Sequence, residues 1–170
     1  MLILNEDVKI IIDNFFDIKP EKLFKIYQGR KHGDKAEDLF KYCGEKDNLI
    51  ILFEDKKNNK FGGFISKKLP KDNSKDIKIR DEKAFLFSLK GKKKFKVLNP
   101  ENAVFISKAF PLCFGGKFNY NDLYTVSPFF EKDSGMYSTD TYGDKNYEIS
   151  NGQSSFKLKD IIIYQIEFFD

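Results

Sequence analysis

The sequence is poor in the residues that most catalytic and metal sites use. Its 170 residues include no tryptophan, one histidine (His32), two cysteines (Cys43 and Cys113) and two arginines (Arg30 and Arg80). A structural zinc site needs about four ligands, usually Cys or His, so we expect neither a metal centre nor a cofactor. The two cysteines match no CxxC spacing, which excludes a disulfide framework and favours a reducing compartment.

The chain also lacks a long apolar segment. Five polar residues between Asn5 and Asp13 interrupt its first apolar stretch, which excludes the core of a secretory signal peptide. No run approaches the roughly 20 apolar residues that a membrane span needs. We therefore expect no membrane insertion, and a location in the cytoplasm, in the nucleus or at the periphery of endolysosomal membranes.

Aromatic residues and lysines are abundant. The chain has 19 phenylalanines and 8 tyrosines, is 33% charged and carries a net charge of +4. This balance is typical of a globular protein and excludes intrinsic disorder. Because opposite charges alternate along the whole chain, the composition permits nucleic-acid binding without favouring it. The length predicts one domain over residues 1–170.

Helical patterns occur only near the N-terminus. Asn5 can cap a helix, and apolar residues then recur at helical spacing from Val8 to Phe16. Pro20 ends this helix. A second helix is predicted from Asp34 to Cys43.

The rest of the chain has the pattern of short strands joined by turns. Strands are predicted at residues 23–27, 49–53, 61–66, 84–89, 95–98, 103–106, 110–114, 123–126 and 161–169. Residues 69–81 are expected to form a polar loop and residues 128–155 to be irregular. We therefore predict a mainly β fold, at the border of the α+β class, in which two antiparallel sheets form a sandwich with two short peripheral helices.

These segments, in this order, resemble the TLDc domain of oxidation-resistance proteins. The most specific block is LIILFEDKKNNKFGGFIS, and FGGKFNYNDLYTV resembles the second glycine pair of the family. Similar segments are ILNEDVKIIIDNFF, LFKIY, GDKAEDLFKYC, DEKAFLFSL, YGDKNYEI and DIIIYQIEFF, so the resemblance covers residues 3–169. The family positions that it implies are Phe61, Gly62, Gly63, Phe114, Gly115, Gly116 and Asp122.

The resemblance also implies a function. Similar proteins protect against oxidative damage, and some bind the vacuolar proton-pumping ATPase. The resemblance implies no catalytic mechanism. Our first hypothesis is therefore a non-catalytic interaction domain with a protein partner, such as a subunit of that pump.

An enzyme of unknown reaction is the alternative hypothesis. Glu148 and Glu167 could act as an acid–base pair if folding brought them together, and Glu167 lies in an apolar strand that could bury it and raise its pKa. The other interpretation is that they are salt-bridged surface residues, which we favour. Asp140, Asp144 and Glu148 share a stretch that could hold calcium, but their spacing is not that of an EF-hand.

Single polar residues give weaker signals. Cys43, near two lysines at a helix end, is the better candidate for a redox-sensitive thiol, whereas Cys113 lies between apolar residues and is expected to be buried. His32 has no sequence-placed partner for catalysis and is expected in an exposed loop. Glycine within a strand marks a bulge or a close backbone approach, and for Gly62-Gly63 and Gly115-Gly116 we predict structural bulges rather than a phosphate cradle.

One basic segment could contact nucleic acid or an acidic partner. It comprises Lys90, Lys92, Lys93, Lys94 and Lys96. Lysines at a hairpin and on an edge strand also keep a sheet from pairing with other chains. That second interpretation is favoured, and a nucleic-acid-binding regulator is therefore the third hypothesis.

Overall fold

The computed structural model describes residues 5–116, 121–137, 141–144 and 146–169. Its helices are α1 (Glu6–Phe15), α2 (Gly29–His32) and α3 (Ala36–Cys43). Its strands are β1 (Lys22–Gln28), β2 (Leu49–Asp55), β3 (Lys60–Ile65), β4 (Ile77–Ile79), β5 (Phe85–Ser88), β6 (Lys93–Lys96), β7 (Val104–Ile106), β8 (Cys113–Phe114), β9 (Leu123–Tyr124), β10 (Asp133–Gly135) and β11 (Ser155–Glu167).

The strands form an antiparallel sheet that folds into two layers. Their order is β4-β7-β8-β9-β10-β11-β2-β3-β5-β6, and β1 pairs with β11. The start of β11 pairs with β10 in one layer, and the rest pairs with β1 and β2 in the other. A register shift between Leu158 and Asp160 marks the passage between layers, where a bulge bends the strand. The predicted mainly β sandwich is confirmed, and β11 makes its two layers continuous.

The apolar run of β2 is buried on both faces. Leu49, Ile51 and Phe53 point into the interior between the layers. Ile50 and Leu52 belong to a second apolar cluster on the opposite face. Side chains of a strand alternate between faces, so a continuous apolar sequence indicates that both faces of β2 are covered.

Helix α1 covers that second face. The Asn5 side chain accepts a hydrogen bond from the Val8 backbone N–H at 2.9 Å, which caps the helix as predicted. Val8, Ile11, Ile12 and Phe15 then bury one helical stripe against β2, β3, β5 and β11. In the described part of the chain, no helix has both the length and the apolar character that crossing a membrane would take.

Gly63 sets the separation between the two layers. It lies on β3 and faces Phe114 of β8, which is fully buried. A β-carbon at Gly63 would lie 2.5 Å from Cζ of Phe114 and 2.9 Å from Cδ2 of Leu86. Because β2 and β3 pair through Gly62 and Gly63 without a register shift, this glycine pair forms a close approach and not a bulge.

Two segments are more ordered than the sequence indicated. The polar loop predicted at 69–81 holds for most of that segment, but β4 lies within it and Leu69 is buried. The irregular stretch 128–155 contains β10 and the first residue of β11. The short helix α2 was not predicted; its four residues include glycine and histidine, which have little intrinsic helix preference.

We predict that Gly63→Ala destabilises the fold by about 1–3 kcal/mol, because the added methyl group overpacks a closed core. Urea unfolding followed by circular dichroism measures this loss. Gly152→Asn is the control for an added side chain without overpacking, because nothing lies within 4 Å of a β-carbon there. Its φ of +82° strains any substitution, but asparagine adopts positive φ more often than most residues, so its loss of stability should be smaller than that of Gly63→Ala. Equal unfolding midpoints for Gly63→Ala and the unmutated chain would contradict the assigned role of Gly63.

Candidate functional site

A buried carboxylate organises the turn between β2 and β3. Oδ1 of Asp55 accepts hydrogen bonds from the backbone N–H groups of Lys57 and Asn59, both at 2.9 Å. Its Oδ2 accepts from Nδ2 of Asn59 at 2.9 Å and from Nε2 of Gln153 at 2.8 Å. Asp55 is 1% exposed. It therefore holds this turn against the segment that leads into β11.

A shallow pocket of about 380 Å³ lies beside this turn. The pocket is lined by Asp55, Lys56, Lys57, Asp133, Gln153, Ser155, Phe156 and Lys157. Phe156 is buried, and its ring packs edge-on against Phe61 at 4.9 Å between ring centroids. The lining therefore brings together lysines from two distant parts of the chain.

The second glycine pair belongs to a buried polar network. Gly115 has φ +76°, and a β-carbon there would collide with the carboxylate of Asp122. Oδ2 of Asp122 accepts from the Tyr142 backbone N–H at 2.9 Å, and Asn121 Nδ2 donates to the Gly115 carbonyl at 2.7 Å. The Gly116 N–H donates to Thr141 Oγ1 at 2.9 Å.

This network joins three segments of the layer that contains β7, β8 and β9. The Tyr142 hydroxyl donates to the Ala103 carbonyl at 2.6 Å, and burial raises the pKa of Tyr142 well above its usual value. Asn121 and Asp122 are each 2% exposed. Phe114, Gly115, Gly116 and Asp122 are thus placed together by the fold, and each has a structural contact.

The two candidate acid–base glutamates lie in different surface ion pairs. Glu148 Oε2 is 3.1 Å from Lys93 Nζ, and Glu167 Oε2 is 3.2 Å from Lys22 Nζ. The side chain of Glu167 is 50% exposed, so the favoured interpretation of a salt-bridged surface residue is confirmed and the alternative of a buried carboxylate is wrong. Its strand alternates between faces, and its partner residue Lys22 lies at the start of the edge strand β1.

Both cysteines are buried. Cys43 packs in the interior cluster, and burial raises its pKa to about 12. Burial likewise raises the pKa of Cys113 to about 12. A redox-sensitive thiol needs exposure and a lowered pKa. The prediction that Cys43 is the better candidate for a redox-sensitive thiol is therefore wrong, because Cys43 is buried and its pKa is raised.

The basic segment 90–96 lies on a hairpin and on β6, an edge strand. Lys90, Lys92 and Lys96 are exposed. Lys94 instead lies 4.4 Å from the centroid of the Phe85 ring and donates to the Phe15 carbonyl at 2.5 Å. Burial lowers the pKa of Lys94. Lys94 therefore contributes to the attachment of α1, and the exposed basic surface is smaller than the sequence indicated.

His32 is half-buried at the end of α2 and not in an exposed loop. Its Nδ1 accepts from the Gln28 backbone N–H at 3.0 Å, and its ring lies 4.3 Å from that of Tyr42. In the calcium candidate, Asp144 accepts from the Glu148 and Ile149 backbone N–H groups, whereas Asp140 lies outside the described residues. Among described residues, no three His, Cys, Asp or Glu side chains are grouped as metal ligands.

Sequence reasoning missed three buried aspartates and the pocket. Asp81 accepts from the backbone N–H of Ser66 at 2.6 Å, and Asp160 accepts from the Arg30 N–H at 3.1 Å. For Asp55, the following residues Asn58 and Asn59 are typical of a turn and could have indicated its position. The approach of Lys157 to the same turn had no local signal, because the two segments are far apart in the chain.

We predict that stability falls as the pH rises above about 9. Burial raises the pKa of each thiol to about 12 in the folded chain, against a usual 9.0. The contribution of the two thiols to the free energy of unfolding is therefore fully present below pH 9 and is lost as the pH rises towards 12. Urea unfolding at a series of pH values from about 7 to 10.5 measures the decline. A Cys43→Ala/Cys113→Ala variant should decline less steeply, and an identical slope would contradict this assignment.

Comparison with known proteins identifies the family of the chain. The sequence-family model of the TLDc domain matches residues 1–167, which confirms the resemblance seen in the sequence. A search of curated proteins finds no match to the chain. The chain belongs to the TLDc domain family, the family of the oxidation-resistance proteins.

Proposed function

We propose that this chain is a single, non-catalytic TLDc interaction domain over residues 1–170, which protects against oxidative stress by binding a subunit of the vacuolar proton-pumping ATPase. It would act from the cytoplasm, where a pump subunit exposed to that compartment can be reached. The family membership supports the protective role. The partner and the mode of action are our proposal.

The observation that carries the proposal is that the buried carboxylates bind groups of their own chain. Asp55, Asp81 and Asp160 each accept hydrogen bonds from backbone or side-chain donors of their own chain. Their oxygens hold turns and a short helix in place. Each of these carboxylates is at most 4% exposed and is bonded within its own chain, so it is not placed to contact a substrate. These groups therefore serve the scaffold, which suits a surface that binds a partner.

The enzyme hypothesis predicts a cleft in which Glu148, Glu167 and Cys43 meet. The two glutamates instead pair with Lys93 and Lys22 at the surface, and Cys43 is buried in the interior. Nothing in these contacts favours a reaction. The nucleic-acid hypothesis relies on the segment 90–96, in which Lys93 and Lys94 are engaged by Glu148 and by the end of α1.

We expect the purified domain to co-sediment with purified vacuolar proton pump and to change its rate of ATP hydrolysis. The measurement compares hydrolysis with and without the domain at fixed pump concentration. An unrelated basic protein of similar net charge is the control, because non-specific attraction depends on charge alone. Absence of both co-sedimentation and a rate change would overturn the pump as partner.

A further inference from the structure

We propose that the pocket beside the β2–β3 turn, lined by Lys56, Lys57, Lys157 and Phe156, is the docking site for an acidic segment of a protein partner. This proposal rests on the proposed function, since it names the surface by which an interaction domain would bind. We call this site the lysine pocket.

Three exposed lysines line the lysine pocket. Lys56 and Lys57 come from the turn after β2, and Lys157 comes from the start of β11. All three residues are exposed. Most ion pairs of the described structure involve other lysines, such as Lys60 with Asp7 and Lys159 with Glu54. Within the described ranges, no ion pair involves any of the three pocket lysines.

The backbone beneath these lysines is fixed before any partner arrives. The Lys56 N–H donates to the Lys157 carbonyl at 3.0 Å, which joins the two segments directly. The Lys57 N–H donates to Asp55, and Gln153 links that same carboxylate to the approach to β11. Preorganised positive charge binds an anionic group with little ordering of the main chain, which favours affinity.

The chemistry of the pocket favours a peptide that bears carboxylates. The pocket is open to solvent, which suits the side chains of a partner better than an enclosed small molecule. Ser155 is exposed beside Lys157, whereas Phe156 is buried and packs against Phe61. Surface lysines that meet acidic groups of a partner contribute complementarity and association rate.

Two features disfavour nucleic acid at this site. The aromatic ring is only 6% exposed and cannot stack with a base, which is the usual contribution of aromatic residues in single-strand binding. Arginine, the preferred residue for planar phosphate recognition, is absent from the lining.

The test is an NMR titration of the ¹⁵N-labelled chain with an acetylated, amidated peptide of sequence EDFDE. The control peptide is QNFNQ, which has the same shape without charge. We expect EDFDE to shift the amide resonances of the turn and of Phe156 and Lys157, and QNFNQ to leave them unchanged. The shifts should weaken as salt is raised, because exposed charges are screened.

Two charge-matched variants locate the binding. Lys56→Glu/Lys57→Glu/Lys157→Glu should weaken the affinity for EDFDE by about tenfold or more, since each surface ion pair contributes a few-fold. Lys90→Glu/Lys92→Glu/Lys96→Glu makes the same change of net charge on the β5–β6 hairpin and should bind nearly as the unmutated chain does. An equal loss in both variants would show non-specific attraction and overturn the proposal.

Further probes distinguish the class of ligand. If inorganic phosphate or an oligothymidylate shifts the same resonances as strongly as EDFDE, and this too is lost in the pocket variant, the site is a general anion or nucleic-acid site. That result would overturn an acidic protein segment as the intended occupant.

The pump assay separates failure of the pocket from failure of the proposed function. Co-sedimentation of the unmutated chain and the hairpin variant, with loss in the pocket variant, supports both. Binding by the pocket variant at full strength overturns the lysine pocket as the docking site and leaves the pump as partner. Absence of binding by the unmutated chain overturns the pump, and the peptide titration then decides the pocket by itself.

Discussion

The contact between Phe114 and Gly63 is the constraint on which the rest of the structure depends. One layer contributes an aromatic ring, and the other contributes a position without a side chain, so the two layers lie close enough to exclude water. A close-packed interior allows little adjustment when a β-carbon is added at such a position. The first glycine pair thus contacts the residue that precedes the second pair: Gly63 lies against the ring of Phe114.

Strand β11 connects the two layers that meet at that contact. Its first residues pair with β10 in the layer of Phe114, and the remainder pairs with β1 and β2 in the layer of Gly63. The bulge at Leu158–Asp160 turns the strand between layers, and Asp160 then accepts the N–H groups of Arg30 and Ile161. A buried carboxylate thus satisfies donors that the irregular backbone would otherwise leave unpaired.

The same use of aspartate recurs where the chain changes direction. Asp55 closes the β2–β3 turn, Asp81 holds Ser66 and the backbone of Lys83, and Asp122 accepts from Tyr142. Each of these carboxylates is buried and hydrogen-bonded, so its charge is matched by local donors. The proposed docking surface depends on this arrangement, because Asp55 positions the turn that carries two of the lysines facing solvent.

The sequence by itself determined the class of the fold, the cap and the apolar stripe of α1, and the central strands, because these follow from local periodicity and capping chemistry. The order of the sequence motifs also identified the family. The sequence did not determine β4 or β10, which are short strands formed by pairing with distant partners. Only the tertiary structure decided that Cys43 is buried, that Glu167 is exposed and that Lys157 lies beside Lys56. The physical reason is that burial and convergence depend on contacts between residues far apart in the chain, and no local pattern records them.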